Sequence, residues 1–318
     1  MKPFQALDYY EIDTLLTEEE RLIRNTLRDF VSEQVMPRIE KHFREGTFPR
    51  ELVPQLSELG TLGSGLQGYG CTGLGPVAYG LIMQELERGD SGLRSFVSVQ
   101  GGLVMYPIHT FGSEEQKERW LPAMARGEII GCFGLTEPDF GSDPAGMLTR
   151  AVQRADRYVL NGTKAWITNG TIADLAVIWA KMEGEIHGFL VEKGTPGFSA
   201  RDHQGKFSLR ASVTSELALQ DCAIPLQNRL IGECGRELPA NAESDGGYRI
   251  TERGVDRGFF DHPDLVFLRL LCRSEWTAPR RGTCIPENWG QHHPIPPEWR
   301  GKDCLQTGQR RRHDRFFV

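Results

Sequence analysis

Two hydrophobic rhythms follow one another along this chain. In the first part apolar residues recur every three or four positions: Ile23, Leu27, Phe30, Val31 and Val35 share one helical face. That spacing turns one stripe of a helix toward a core. Thr17 with Glu20 makes a capping-box pattern in front of the stripe, and Glu18 and Glu19 suit the positive end of a helix. Pro37 is expected to kink or end this helix, because it has no N–H to give. A short second helix is predicted over 50–59, stopped by Gly60, and a third carries Val77, Leu81, Ile82 and Leu86. Ser113 with Gln116 repeats the capping box and opens a fourth.

Near residue 131 the rhythm shortens. Segments 132–136, 158–160, 175–180, 188–191 and 217–219 are rich in β-formers. Turn signals such as Asn161-Gly162 and Thr195-Pro196-Gly197 separate them. Helices in one block and strands in the next predict an α+β chain: a helical bundle over 1–130, then an antiparallel β domain over 131–232. From 233 to 318 neither rhythm persists. This part is rich in Pro, Arg, Cys and Trp, and Lys302 is its only lysine. Little packed structure is expected there.

Composition narrows the picture. The chain has 318 residues and a net charge of -6. An acidic balance argues against a nucleic-acid or membrane-surface partner, because binding to either begins with basic charge. No apolar run approaches the ~18 residues of a membrane span. The acidic start lacks the apolar stretch of a secretory signal, so a cytoplasmic protein is expected. Seven cysteines without paired spacing argue against a disulfide framework, and Cys71, Cys132 and Cys222 read as buried reduced thiols.

Gly63-Ser64-Gly65-Leu66-Gln67-Gly68 matches the dinucleotide pattern G-x-G-x-x-G. It follows a helical stretch, not a strand, so it reads as a loop. FGLTEPDFGSDPAGM at 133–147 and NGTKAWITNG at 161–170 carry more. A flavin needs its ring edge hydrogen-bonded and its reactive nitrogen reachable, and the protein supplies that setting. Thr136 at a strand end, the sharp turns at Pro138, Gly141 and Pro144, the Ser142 and Thr168 hydroxyls and the Trp166 ring are suited to that task. Either segment alone also fits a hairpin with a buried Trp. The two in order are far more specific.

With these segments the chain resembles the acyl-CoA dehydrogenase family, in its glutaryl-CoA branch. The resemblance covers about 10–232 and includes ELERGDSGLRSFVSVQGGLVMYPI at 85–108, GSEEQKERWLP at 112–122 and QGKFSLRAS at 204–212. It implies a helical domain, a middle β domain and a C-terminal four-helix domain, bound FAD and a homotetramer. By position, Phe133, Leu135, Thr136, Gly141, Ser142, Trp166, Ile167 and Thr168 would contact the flavin, with Ser142 also touching the thioester arm. Arg94, with Ser95 and Ser98, would receive the distal carboxylate of a glutaryl chain. An arginine suits that end, since its planar fork binds a carboxylate with paired hydrogen bonds; taken alone, Arg94 is an ordinary surface charge. The implied reaction is αβ-dehydrogenation of an acyl-CoA, with loss of carbon dioxide from a glutaryl chain to give crotonyl-CoA. Electrons would pass to an electron-transfer flavoprotein.

The resemblance stops near residue 232. The Tyr-Glu-Gly-Thr type motif that should carry the proton-abstracting glutamate does not occur, so no catalytic base is assigned. Glu237, Glu243, Glu252, Glu275, Glu287 and Glu298 lie in sequence without counterpart in the family. A frame-shifted or truncated end is the expected reading of 233–318. A zinc module from Cys272, Cys284, His292, His293, Cys304 and His313 lacks the usual ligand spacing, and Arg310-Arg311-Arg312 is weak evidence of a nucleic-acid tail. The alternative to an active dehydrogenase is a chain that binds a flavin or a CoA thioester without turning it over.

Overall fold

In a computed structural model, the described residues are 11–231 and the backbone of a small ladder pairing Ile250–Thr251 with Gly254–Val255. The rest of 233–318, with the candidate glutamates, cysteines and histidines named there, lies outside them.

Helices come first. α1 (Glu18–Phe30) opens on the expected capping box: the Thr17 hydroxyl accepts from the Glu20 N–H, and the Glu20 carboxylate accepts from the Thr17 N–H. Pro37 does not end the helix. A π-helical turn, Val31–Val35, carries the chain from α1 into α2 (Met36–Glu45), and Pro37 falls just after it, in the first turn of α2. The predicted 50–59 helix is a 3-10 turn, Arg50–Leu52, leading into α3 (Val53–Glu58). Gly60 follows at φ +67, a left-handed conformation that suits glycine.

α4 (Pro76–Gly89) corrects the predicted third stripe. Val77 is exposed, and the inward face is Ala78, Ile82, Glu85 and Leu86. Glu85 is only 1% exposed, and its carboxylate accepts from Arg28 at 2.6 Å and Arg88 at 3.0 Å. A buried carboxylate needs such partners, and here they tie α1 to α4. Next come α5 (Ser91–Ser98), a second π-helical segment (Val99–Met105), α6 (Tyr106–Phe111) and α7 (Glu114–Ala125). α7 begins on the expected Ser113–Gln116 capping box.

The sheet is larger than the sequence segments suggest. It holds β1 (Gly131–Gly134), β2 (Arg150–Arg154), β3 (Arg157–Thr168), β4 (Leu175–Met182), β5 (Glu185–Glu192), β6 (Phe198–Asp202) and β7 (Thr214–Pro225). Their order is β1-β4-β2-β3-β7-β6, with β5 on β4. Most pairs are antiparallel, but β1 runs parallel to β4, so the domain is mixed. Asn161-Gly162 is not a turn. It lies inside β3 at a bulge opposite β7, where a side chain at 162 would strike the Thr149 hydroxyl. Thr195-Pro196-Gly197 does turn the chain, with Phe198 N–H donating to the Thr195 carbonyl.

Leu121, Met124 and Val104 from the helices share one apolar cluster with Leu175, Val177 and Leu190 from the sheet. Two side-chain amides reinforce the joint. Gln100 accepts from the Gly131 N–H and donates to the Ile129 carbonyl, both at 2.8 Å. Gln116 donates to the carbonyls of Gln227 and Arg229 beyond β7. Among the described residues no helix is long and apolar enough to cross a membrane.

Candidate functional site: an aromatic cradle on the sheet

The two motifs meet at the ends of β1 and β3. The Thr136 carbonyl accepts from the Ala165 N–H at 2.9 Å. One residue further, β3 bulges against β7 between Lys164 and Ile167. In a regular strand residue 166 would share the inward face of 164, since side chains alternate. The bulge breaks that alternation. Trp166 takes φ +61 and stands 60% exposed, while Ile167 turns into the sheet core. A tryptophan in the left-handed region costs about 1 kcal/mol or more, which makes the bare indole a candidate ligand contact.

Behind the indole lies His203, its ring stacked at 4.5 Å and 22°. Its Nε2 is buried without a partner among the described residues. Two residues on from Trp166, Thr168 is half-buried, and Gly141 and Ser142 are exposed on the loop after β1, where a side chain added at Gly141 would lie 3.9 Å from the Thr136 methyl. A flat heteroaromatic group with polar edges fits this combination of a bare ring face and hydroxyls. Leu135 is buried. Phe133 faces the joint between bundle and sheet, edge-on to Trp179 at 5.9 Å, and Ile167 can offer the cradle only its backbone.

Beneath the cradle is a feature the sequence reading passed over. Lys164 is fully buried, and its ammonium donates to Glu137 Oε1 at 2.8 Å and to the Leu135 carbonyl at 3.0 Å. Glu137 also accepts from the N–H groups of Leu148 at 2.6 Å and Thr149 at 2.9 Å. Burial works to raise the Glu137 carboxyl, but Lys164 and these N–H groups outweigh it and hold it below the usual range. Burial pulls Lys164 below the usual lysine value, against the pull of Glu137. Both residues sit inside the quoted motifs, at TEP and TKAW. The only sequence signal was a charge next to residues already chosen.

Arg94 and Ser98 also come together. Arg94 lies on α5, its Nη1 3.5 Å from Ser98 Oγ, and its Nε donates to Glu87 at 2.8 Å. Ser95 is beside it, half-buried. Burial raises the Glu87 carboxyl, but Arg94 and the Ser91 hydroxyl outweigh that and keep it low. No hydrogen bond joins this cluster directly to the cradle among the described residues. The link runs through 204–212: a side chain at Gly92 of α5 would meet the Ala211 carbonyl at 3.0 Å, and that segment begins beside His203 under Trp166. Gly63–Gly68 forms a loop between α3 and α4 with no strand before it.

Residues 17–128 match the acyl-CoA dehydrogenase N-terminal domain, and residues 132–222 match the acyl-CoA dehydrogenase middle domain. The chain belongs to the acyl-CoA dehydrogenase family. It is 53% identical to a glutaryl-CoA dehydrogenase from Mycobacterium smegmatis solved in complex with FADH2, with a TM-score of 0.70 over 71% of this chain and 59% of that one. It is 34% identical to butyryl-CoA dehydrogenase from Megasphaera elsdenii, with a TM-score of 0.65 over 71% and 61% of the two chains. The rat short-chain specific acyl-CoA dehydrogenase is 34% identical over 268 residues, 81% of this chain and 62% of the relative. The chain thus spans about three fifths of the length of such relatives.

Proposed function

We propose that this chain carries the flavin-binding cradle and the acyl-end pocket of an FAD-dependent acyl-CoA dehydrogenase of the glutaryl-CoA type. The observation that carries the reading is Trp166, forced to φ +61 and left exposed beside Thr136. Bound FAD would supply a hydride acceptor. Trp166 would cover one face of its ring, and Ser142, Thr168 and the Thr136 backbone would offer hydrogen bonds to its edge. Gly141 leaves room for close approach, with only a Thr136 methyl within 4 Å of an added side chain.

Arg94, with Ser95 and Ser98, supports the choice of a dicarboxylic acyl chain. An incoming carboxylate shares or takes over the guanidinium now held by Glu87. The identity to a glutaryl-CoA dehydrogenase supports the same choice, while the short-chain relatives leave a monocarboxylic substrate as the competing one. In a whole dehydrogenase built around this cradle, an electron-transfer flavoprotein would accept the electrons and a tetramer would be the working assembly.

The 318 residues by themselves are proposed to bind without turning over, since the family's Tyr-Glu-Gly-Thr motif does not occur among them. The purified chain should hold little flavin, take up added FAD weakly, and bind glutaryl-CoA better than butyryl-CoA. Arg94→Ala should remove that preference, and neither thioester should drive dye reduction. Equal binding of the two thioesters would pass the substrate to the short-chain class. Dye reduction by glutaryl-CoA would show that the base is present after all.

A further inference from the structure

Resting on that reading, we propose that Glu137 and Lys164 are positioning residues of the cradle. Their buried pair fixes the direction of the Leu135–Thr136 peptide and closes the loop that bears Gly141 and Ser142.

In a trans peptide the C=O and the following N–H point in opposite directions. The Leu135 carbonyl accepts from the buried Lys164 ammonium at 3.0 Å, so it points into the sheet. The Thr136 N–H then points the other way, away from the buried ammonium. Among the described residues it has no acceptor. The next carbonyl, that of Thr136, is held by the Ala165 N–H at 2.9 Å. Two successive carbonyls are thus tied to β3, and the donor between them is left for a ligand.

Glu137 stands at the start of the loop, and its carboxylate accepts from Leu148 and Thr149 at the end. Glu137 and Phe140 also exchange backbone bonds at 3.1 and 3.2 Å. Phe140 packs where a side chain at Gly146 would stand, 2.3 Å from its ring. The loop is therefore a closed ring of contacts with one buried acid as its clasp. Lys164 holds that acid in place, and its stem passes Gly134, where an added methyl would lie 3.3 Å from Lys164 Cγ.

A charge pair kept only for stability could be replaced by apolar residues at little cost. Here each oxygen of Glu137 carries a loop N–H, so the pair sets geometry as well.

The test compares the full chain with Lys164→Met and Glu137→Gln by two independent readouts. The first needs no ligand: amide exchange at Leu148 and Thr149 should speed up in both variants while β4 and β5 keep their protection. The second titrates FAD and riboflavin 5′-phosphate into the folded protein. Affinity should fall about tenfold, the equivalent of one hydrogen bond, and the visible band of the bound flavin should change shape. Folded variants with parental exchange, affinity and band shape would overturn the proposal. If the unaltered chain takes up no flavin, the cofactor reading fails and takes the flavin half of this proposal with it; the exchange readout still decides whether the pair is the clasp. Should a single variant not fold because a buried charge is left alone, the double variant Glu137→Gln/Lys164→Met, which leaves none, is measured in its place by the same criteria.

Discussion

Trp166 shows what a single position can reveal and what it cannot. Its identity and neighbours were enough to suggest an aromatic wall. Its orientation was not legible, because it depends on a bulge that exists only once β3 pairs with β7. The same holds for Glu137 and Lys164, which are 27 positions apart and become partners only in the fold. Local strain at Trp166 leads to a prediction that separates folding from binding. Glycine adopts a positive φ freely, so Trp166→Gly relieves the backbone while losing the stack on His203 and some contact area. The two effects oppose each other, each of about 1 kcal/mol. Removing this tryptophan should therefore move the thermal midpoint of the flavin-free chain very little, whereas it should abolish uptake of added FAD. A midpoint drop of the size that buried tryptophans give, about 3–5 kcal/mol, would mean that the ring serves the core and not a ligand.

At the scale of elements, legibility followed periodicity and capping. α1 and α7 were readable because an amphipathic stripe and a capping box agree with each other. The segment 99–105 was not, since Val99, Gln100, Gly101, Gly102, Val104 and Met105 are all buried. An element enclosed on every side has no polar face, and so no rhythm. Asn161-Gly162 misled for the opposite reason: a strong local turn signal was overruled by long-range pairing in β3. The contact between Arg94 and Ser98 was suggested only by the flanking residues. Gln116 has two roles that the sequence showed as one. It completes the capping box of α7 and also donates to Gln227 and Arg229 carbonyls beyond β7. Ser113→Ala should cost about 1 kcal/mol, the usual worth of a cap. Gln116→Ala should cost more, about 2 kcal/mol, because it also removes two hydrogen bonds to part-buried carbonyls. Denaturant titration of the two variants checks the order; equal costs would mean that the tie to the sheet contributes nothing.

At the scale of the whole molecule, the switch from one rhythm to the other near residue 131 was enough to place helices before strands. It was not enough to show that the two blocks share a core, or that β1 enters the sheet parallel to β4. Parallel contacts and inter-domain packing join residues far apart in sequence and leave no periodic trace. The shared cluster has a mechanical consequence. Leu121 of α7 and Leu190 of β5 are both essentially unexposed and belong to the same apolar cluster, with Trp179 of β4 packed against it. Truncating either to alanine removes buried methyl groups and leaves a cavity, at a cost of about 2–5 kcal/mol. If bundle and sheet were independent bodies, Leu121→Ala would lower only the melting of the helices, and Leu190→Ala only that of the strands. Because one cluster serves both, each substitution should lower the far-ultraviolet helical signal and the tryptophan fluorescence transition together, as a cooperative unit requires. Separate transitions for the two signals would refute a common core. They would also leave the cradle without its rigid support, since β1 reaches Thr136 directly from the Gln100 clamp at that joint.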